Sequence, residues 1–252
     1  MDYCKEENQP IDEKDSNKNL KFVCCNIQGL VTGKQNKSKF LFENFNESIL
    51  TLTETWLSDS IFDAEILTFF KNYTLIKSDR KINLEDTESK SKRGGCAILL
   101  PDNLTTKCLE RFSNGVCELL IVNIINHKTI IAVVYRPPDS SFKKFEEVLH
   151  IMNKTFAENE NKTKIICGDF NFPPQIVEWY KYDEILYDQI TVGHSKGETF
   201  EKRESYTKLK EMAHDFYLQQ LVDKPTRGNN ILDLVYTNDE DLLTNCHVDH
   251  RI

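Results

Sequence analysis

The stretch of sequence that decides the fold begins with an apolar run of strand length, Thr129-Ile-Ile-Ala-Val-Val-Tyr135. Pro137-Pro138 ends this run. The segment that follows, Phe142–Ala157, carries its apolar side chains on one face at helical spacing, which predicts an amphipathic helix. A second apolar run, Lys164-Ile-Ile-Cys167, predicts a short buried strand and leads into Gly168-Asp-Phe-Asn171. Strand, helix and strand in succession indicate an α/β domain.

Segments on both sides of this stretch extend the same pattern. Asn126-His-Lys128 is typical of a hairpin turn, and the charged segment Lys77–Arg93 predicts an exposed loop. Hairpins among strands and few helices predict one domain over residues 20–252, with two packed mixed sheets and helices outside them. Residues 1–19 are polar and predict a flexible arm. Further strands are predicted at Leu20–Asn26, Ser48–Glu54, Cys96–Leu100, Val116–Ile125 and Ile231–Thr237, and further helices at Lys37–Asn46 and Tyr206–Leu221.

Composition excludes several classes of protein. Of the 252 residues, 39% are hydrophobic and 10% aromatic, which rules out wholesale disorder and collagen-like repeats. No apolar run approaches the roughly 18 residues of a membrane span, and the N-terminus lacks the apolar centre of a signal peptide. A soluble intracellular protein is therefore expected. Forty acidic and 32 basic residues leave a net charge of −8, which opposes non-specific adhesion to nucleic acids or membranes.

The eight cysteines favour free thiols over disulfides or zinc. No C-x-x-C pair occurs, and several of the cysteines lie in apolar runs that read as buried strands. Free core cysteines in a reducing compartment are the better interpretation.

Polar residues recur at one kind of position, the end of an apolar strand. Taken singly, each of them reads as a polar residue that caps a turn, because asparagine and aspartate favour turns. Taken together they indicate a site, since loops at the ends of a rigid sheet are where binding and catalytic residues assemble. These residues are Asn26, Glu54, Tyr135, Asp169 with Asn171, and Asp233, which lies within a strand.

The motifs around these residues are specific. They are Cys25-Asn-Ile-Gln-Gly-Leu30, Thr53-Glu-Thr-Trp-Leu57, Val134-Tyr-Arg-Pro-Pro138, Cys167-Gly-Asp-Phe-Asn171, Pro225-Thr-Arg227 and Ile231-Leu-Asp-Leu-Val-Tyr-Thr237. In this order and spacing they resemble the endonuclease/exonuclease/phosphatase superfamily, from about Leu20 to the C-terminus. Within it they resemble the apurinic-endonuclease-like domain of retrotransposons that lack long terminal repeats, as does Gln175-Ile-Val-Glu-Trp179. The resemblance implies a deoxyribonuclease-like, four-layer α/β sandwich.

The resemblance also implies a metal-dependent endonuclease that nicks DNA by hydrolysing a phosphodiester. Glu54 is the expected ligand of Mg²⁺, with Mn²⁺ as a substitute, and Asn26 and Asp249 are expected near the metal. Asp169 is expected to activate water or protonate the leaving oxygen. Asn171 would orient the phosphate or that water.

The remaining implied roles concern phosphate and substrate binding. Tyr135 is expected to donate its hydroxyl to a phosphate oxygen. Asp233 is expected to hold the imidazole of His250 in one tautomer. Substrate binding is assigned to Arg136, Thr226 and Arg227. A basic rim facing DNA could be formed by Arg136, its best candidate, with Lys34, Lys37, Lys39, Lys90 and Lys92. Scattered lysines are more often part of a solvated surface, which is the alternative interpretation.

The C-terminal segment departs from the family pattern. Val248 stands where the pattern has serine, and only eleven residues separate Thr237 from Asp249. A truncated C-terminal strand is therefore expected. An apurinic-site repair endonuclease, another phosphoesterase of the same fold and a catalytically inactive retrotransposon-derived remnant remain alternatives. The expected partners are DNA and a reverse transcriptase domain of the parent element, with no membrane, for a monomer that is nuclear or cytoplasmic.

Overall fold

A computed structural model describes residues 20–31, 37–81, 93–172, 198–228 and 230–239. The predicted arm of residues 1–19, the Gln175–Trp179 stretch and the expected Asp249-His250 pair lie outside the described residues. The strands are β1 (Phe22–Asn26), β2 (Ile49–Thr53), β3 (Tyr73–Ser78), β4 (Cys96–Pro101), β5 (Thr106–Ser113), β6 (Glu118–Ile124), β7 (Thr129–Tyr135), β8 (Thr163–Asp169), β9 (Gln219–Gln220) and β10 (Asp233–Thr237). The α-helices are α1 (Lys37–Phe45), α2 (Asp63–Leu67), α3 (Phe142–Ala157) and α4 (Glu198–Asp215).

The strands form two mixed sheets. The four-stranded sheet has the order β1-β2-β4-β3, in which only β1 and β2 are parallel. The six-stranded sheet has the order β5-β6-β7-β8-β10-β9, in which β7 and β8 are parallel and are joined through α3. The sequence-based prediction of two packed mixed sheets flanked by helices is confirmed.

Alternation along the strands of the four-stranded sheet explains how it is covered on both faces. Cys96, Ile98 and Leu100 of β4 join the core between the sheets, whereas Ala97 and Leu99 join a second core that includes residues of α1 and α2. Successive side chains of a strand point to opposite faces, so a strand buried on both faces reads as one continuous apolar run.

Helix α3 covers the outer face of the six-stranded sheet, as its amphipathic pattern predicts. Its buried side chains include Phe145, Val148, Met152 and Phe156, which all join the core formed by this sheet. Burial of each large apolar side chain contributes roughly 1.5–3 kcal/mol. The helix therefore anchors the parallel pair β7 and β8, whose ends carry the residues considered below.

Some boundaries differ from those predicted. The helix predicted over Tyr206–Leu221 begins earlier, at Glu198, and ends at Asp215, because Tyr217 adopts a left-handed conformation (φ 56°) that a helix cannot continue through. Gln219–Gln220 is then a strand. The hairpin predicted at 126–128 overlaps a 3-10 turn over Ile125–His127.

The segment predicted as an exposed loop over Lys77–Arg93 is only partly described. Lys77 and Ser78 belong to β3, and Arg80 is buried in an ion pair with Glu118, so the prediction is wrong for this part. The pattern missed β3 because it is an edge strand whose exposed and buried residues do not alternate strictly.

Within the described ranges, the cysteines are free thiols. The same residues contain no helix that combines the length and apolar character required to cross a membrane.

Candidate active site

Strand register in the six-stranded sheet brings polar side chains into one row. Tyr135 of β7 pairs with Asp169 of β8, which pairs with Asp233 of β10. On the other side of Tyr135, Glu118 of β6 continues the row. Residues directly opposite each other on neighbouring strands project from the same face at about 5 Å. Four residues from four different strands therefore lie side by side.

The four-stranded sheet supplies the facing half of the site. Asn26 is the last residue of β1, and Glu54 follows directly after β2. The Asn26 amide nitrogen donates to Glu54 Oε1 at 2.8 Å and to Asp169 Oδ2 at 2.5 Å. One amide thus links the ends of the two sheets, and the structure brings all the strand-end residues singled out in the sequence to one place.

The backbone at this place is held in an uncommon conformation. Glu54 and Asn171 have φ angles of 51° and 50°, in the left-handed region that residues other than glycine rarely adopt. The Glu54 carbonyl accepts the Gly29 N–H at 2.8 Å, and the Asn171 N–H donates to Asp169 Oδ1 at 3.2 Å. Such strain persists only where surrounding contacts fix it, and it clusters at functional sites.

Gly168 allows Asp169 to reach its position. A Cβ atom at residue 168 would lie 1.9 Å from the carbonyl oxygen of Val134 on β7. No side chain fits at that distance, so only glycine lets β8 approach β7 closely enough to place Asp169 beside Tyr135.

Burial perturbs the carboxyl groups of the site. Asp169 has no exposed surface, and its pKa rises to about 7, first because of burial and then because of the negative charges of Asp233 and Glu54. The hydrogen bond from Asn26 and the charge of Arg227 partly oppose this rise. A carboxyl group that titrates near neutral pH is suited to accept or donate a proton.

The pKa of Asp233 is raised mainly by burial, against which a hydrogen bond with Thr226 and the charge of Arg227 act. The pKa of Tyr135 is raised by burial and by the negative charges of Glu54 and Asp169. Tyr135 is therefore a neutral hydroxyl that can donate a hydrogen bond.

The oxygen atoms of the site match the donors that a hard divalent cation prefers. The carboxylate of Glu54 is half-buried, and Asp233 Oδ1 is buried with no hydrogen-bond partner in the described residues. Among those residues, no three side chains of the usual ligand types converge as a ready metal cage. Mg²⁺ retains most of its waters and needs only one or two carboxylates, so the arrangement fits such an ion.

The expected substrate-binding residues have different surroundings. Arg136 is fully buried, so the prediction that it lies on a DNA-facing rim is wrong. The Thr226 hydroxyl accepts the N–H groups of Leu232 and Asp233 at 3.0 and 3.2 Å, and so holds the start of β10. Arg227 is exposed and lies close enough to lower the pKa values of Asp169 and Asp233.

The predicted basic rim is only partly described, since Lys34, Lys90 and Lys92 lie outside the described residues. The Lys37 ammonium donates to the carbonyls of Ile27 and Gln28, and Lys39 pairs with Glu43 at 3.6 Å. These two lysines therefore have partners within the protein.

Sequence reasoning missed the buried pair of Arg80 and Glu118. Arg80 Nε lies 2.8 Å from Glu118 Oε1, and Nη2 lies 3.0 Å from Oε2, while the guanidinium stands 5.4 Å from the centre of the Tyr135 ring. Burial opposes the charge of Arg80, yet the hydrogen bond and charge of Glu118 raise its pKa. The sequence did contain a signal for this pair, because Glu118 is an acidic residue in a largely apolar strand. Buried acidic residues are almost always paired, so Glu118 indicated a buried basic partner.

The segment Gly94-Gly95, directly before β4, accommodates this pair. A Cβ atom at Gly94 would lie 2.4 Å from Arg80 Nε, and one at Gly95 would lie 2.6 Å from Thr55 Oγ1. The Gly95 N–H donates to Glu118 Oε2 at 3.1 Å. Gly94 therefore leaves room for the Arg80 side chain, and Gly95 donates a backbone hydrogen bond to Glu118, so both glycines support the buried ion pair next to Tyr135.

Comparison with known proteins adds family information. Residues 129–251 match the family model described as Endonuclease-reverse transcriptase. None of the curated proteins compared with the chain matches it significantly.

Several solved structures share the fold. An AP endonuclease from Archaeoglobus fulgidus superposes with a TM-score of 0.53 at 16% identity, over 87% of this chain and 86% of that one. The endonuclease domain of TRAS1, a telomere-specific non-LTR retrotransposon, gives 0.53 at 16% identity, over 89% and 93%. The AP endonuclease LMAP from Leishmania major gives 0.52 at 14% identity, over 88% and 79%. Identities this low establish a common fold, and activity must be argued from the site.

Proposed function

Since the chain has the fold of the endonuclease/exonuclease/phosphatase superfamily, and residues 129–251 match its endonuclease-reverse transcriptase family, we propose that it is a metal-dependent endonuclease that nicks DNA. The observation that carries the proposal is the Asn26 amide, which joins Glu54 of one sheet to Asp169 of the other. This contact assembles a carboxylate for a metal, a carboxyl group for proton transfer and a phenol for the phosphate.

The side chains divide the chemistry among them. Glu54, with Asn26 beside it, would hold Mg²⁺ or Mn²⁺, and Asp249 is the further ligand that the family resemblance implies. When bound, a divalent cation neutralises phosphate charge and makes water more acidic. Asp169, with its pKa near 7, accepts the proton of the attacking water or protonates the leaving oxygen. Because Asp169 is buried and accepts a hydrogen bond from Asn26, its carboxyl group keeps a fixed orientation at the end of the two sheets.

Tyr135 and Asn171 bind the phosphate. The Tyr135 hydroxyl, kept neutral by its surroundings, donates to a non-bridging oxygen whose negative charge grows in the transition state. Asn171 lies two residues after Asp169 and orients the phosphate or the water. Arg227 is exposed and contacts the DNA backbone, where a guanidinium suits phosphate geometry. As the family pattern implies, Asp233 would support His250, which lies outside the described residues.

The test is nicking of supercoiled plasmid DNA by the purified chain with Mg²⁺, with Mn²⁺ and with a chelator. Conversion to open circles by the native chain, lost with chelator and in Asp169→Ala, is the expected result. Asp223→Ala, at an exposed aspartate, is the matched control and is expected to nick normally. A folded native chain that nicks no DNA under any of these conditions would contradict the proposal and support the inactive-remnant alternative.

The finer role is target-primed retrotransposition, in which the nick leaves a 3′-hydroxyl for a reverse transcriptase. A duplex oligonucleotide with one abasic site separates this role from apurinic-site repair. Equal cleavage of intact and abasic duplexes supports a retrotransposon endonuclease. Cleavage confined to the abasic duplex would instead support a repair enzyme, the activity named for two of the structural neighbours.

A further inference from the structure

Arg136 is the largest fully buried side chain of the described residues. Burying a guanidinium is costly unless its donors find acceptors. Its Nη1 donates to the Phe170 carbonyl at 3.2 Å and its Nη2 to the Ser140 carbonyl at 3.3 Å. The guanidinium also stands 4.8 Å from the ring centre of Phe172 and 5.7 Å from that of Phe145, within the range of a cation–π interaction. These contacts compensate the buried charge only in part, because Nε has no hydrogen-bond partner among the described residues and burial lowers the pKa of Arg136.

The contacts of Arg136 converge on the segment that carries the proposed catalytic groups. Its backbone N–H donates to the Asp169 carbonyl at 2.9 Å, and its guanidinium reaches the Phe170 carbonyl. Its own carbonyl accepts the Asn171 side-chain amide at 3.0 Å. The contacts with Asp169 and Asn171 are made by the backbone of residue 136. The arginine side chain itself holds the Phe170 carbonyl and the Phe172 ring, on either side of Asn171, which has a left-handed φ.

We propose that Arg136 is a positioning residue, which fixes residues 169–171 so that Asp169 and Asn171 keep the geometry required for phosphodiester hydrolysis. The inference rests on the proposed nuclease function and assigns Arg136 no contact with DNA. The adjacent residues Tyr135 and Arg136 then have different roles. Tyr135 projects into the site, and Arg136 holds the segment beside it.

Arginine is required here for its shape. A planar fork directs two N–H groups toward carbonyls in different segments while its face lies against aromatic rings. Lysine keeps the charge, but its single ammonium cannot stack on the rings in the same way. Glutamine keeps a planar donor but loses the charge, which avoids burying an unpaired ammonium.

The test compares Arg136→Lys and Arg136→Gln with Arg111→Lys, an exposed arginine of β5, in plasmid nicking. A positioning role predicts that kcat falls about 10- to 100-fold in both Arg136 variants, while KM and its salt dependence stay unchanged. A phosphate contact would instead raise KM and reduce the slope of log affinity against log salt by about 0.9. That second pattern overturns the proposal.

A readout that needs no activity separates this proposal from the proposed function. Hydrogen exchange of peptides that cover residues 168–172 is expected to accelerate in the folded Arg136 variants, while exchange in β5 stays at the native rate. Native exchange at residues 168–172 in both variants overturns the proposal even if the native chain nicks DNA. Should the native chain not nick, accelerated exchange there still supports the positioning role, whereas the nuclease proposal fails.

Discussion

The two sheets contribute halves of the candidate active site that differ in burial. Tyr135, Asp169 and Asp233 are end residues of paired strands in the six-stranded sheet; Tyr135 and Asp169 are buried, and Asp233 is half-buried. Asn26 and Glu54 lie at or beyond the strand ends of the four-stranded sheet and are half-buried. In the first half a change of side chain alters both the chemistry and the packing around it. In the second half Glu54 lies outside the strands, so a change there mainly alters the chemistry.

This difference divides the tasks between the sheets. A group that transfers protons benefits from burial, which moves its pKa toward neutral pH. A metal ligand benefits from access to water, because Mg²⁺ keeps much of its hydration shell. The stability of variants should therefore distinguish the two halves more clearly than their activity does.

The largest expected effect contrasts two glutamates. Glu118→Gln leaves Arg80 buried without its ion pair, so we expect a loss of about 3–5 kcal/mol in the free energy of unfolding. Glu54→Gln, at a half-buried position beyond β2, is expected to change stability by no more than about 0.5 kcal/mol although it removes nicking. Urea unfolding with unchanged m-values measures both. Equal losses would contradict the division between the two halves.

The next effect concerns two glycines with positive φ. Gly168→Ala is expected to cost about 3 kcal/mol or more, because its Cβ would overlap the Val134 carbonyl. Gly228→Ala, where nothing lies within 4 Å of the added atom, is expected to cost about 1 kcal/mol from the backbone conformation alone. Thermal unfolding compares them. Similar losses would show that the close approach of β7 and β8 is not required.

A smaller effect has the opposite sign. Asp169→Asn removes a carboxyl group whose pKa rises from 3.8 to about 7 on folding, a shift worth about 4 kcal/mol. Since asparagine loses an acceptor oxygen, we expect a net gain of about 2 kcal/mol at pH 8. Between pH 4 and 7 the folded state binds more protons than the unfolded state, so native stability falls as pH rises through this window.

The gain of Asp169→Asn should therefore vanish at about pH 5.5 and become a loss of about 2 kcal/mol below about pH 4, where the native carboxyl group is protonated in both states. Urea unfolding at several pH values measures it, with Asp223→Asn as the exposed control. A variant that is less stable than the native chain at pH 8 would show that the carboxylate is compensated in the folded state.

The smallest effect tests how β10 is held. Thr226→Val removes the acceptor of the Leu232 and Asp233 N–H groups, so we expect a loss of about 1–2 kcal/mol together with reduced nicking. Thr74→Val, at an exposed threonine of β3, is the control and is expected to lose no more than about 0.5 kcal/mol. A DNA contact by Thr226 would instead weaken DNA binding and leave stability unchanged.

Most elements of the fold could be predicted from the sequence because their patterns are local. The runs that became β4, β6 and β7 are apolar over most of their length, since these strands are buried on both faces, and α3 shows its apolar face at helical spacing. The edge strands β3 and β5 were missed because half-exposed strands lack a continuous apolar run.

The site residues divide in the same way. The motifs placed Asn26, Glu54, Tyr135, Asp169, Asn171 and Asp233 at the ends of strands or within them, which are properties of the chain alone. Whether Arg136 faces DNA or the interior depends on how α3 and the segment after β8 pack against it. No local pattern contains that information, and the sequence-based prediction was wrong.

The sequence by itself determined most of the strands and which polar side chains follow them, because side-chain periodicity and turn preferences act over a few neighbouring residues. Only the tertiary structure decided that Asp169 stands in one row with Tyr135 and Asp233, that Asn26 spans the two sheets, and that Arg80 finds Glu118. These are contacts between residues distant in the chain. They depend on strand order, register and burial, which arise only when the sheets pack together.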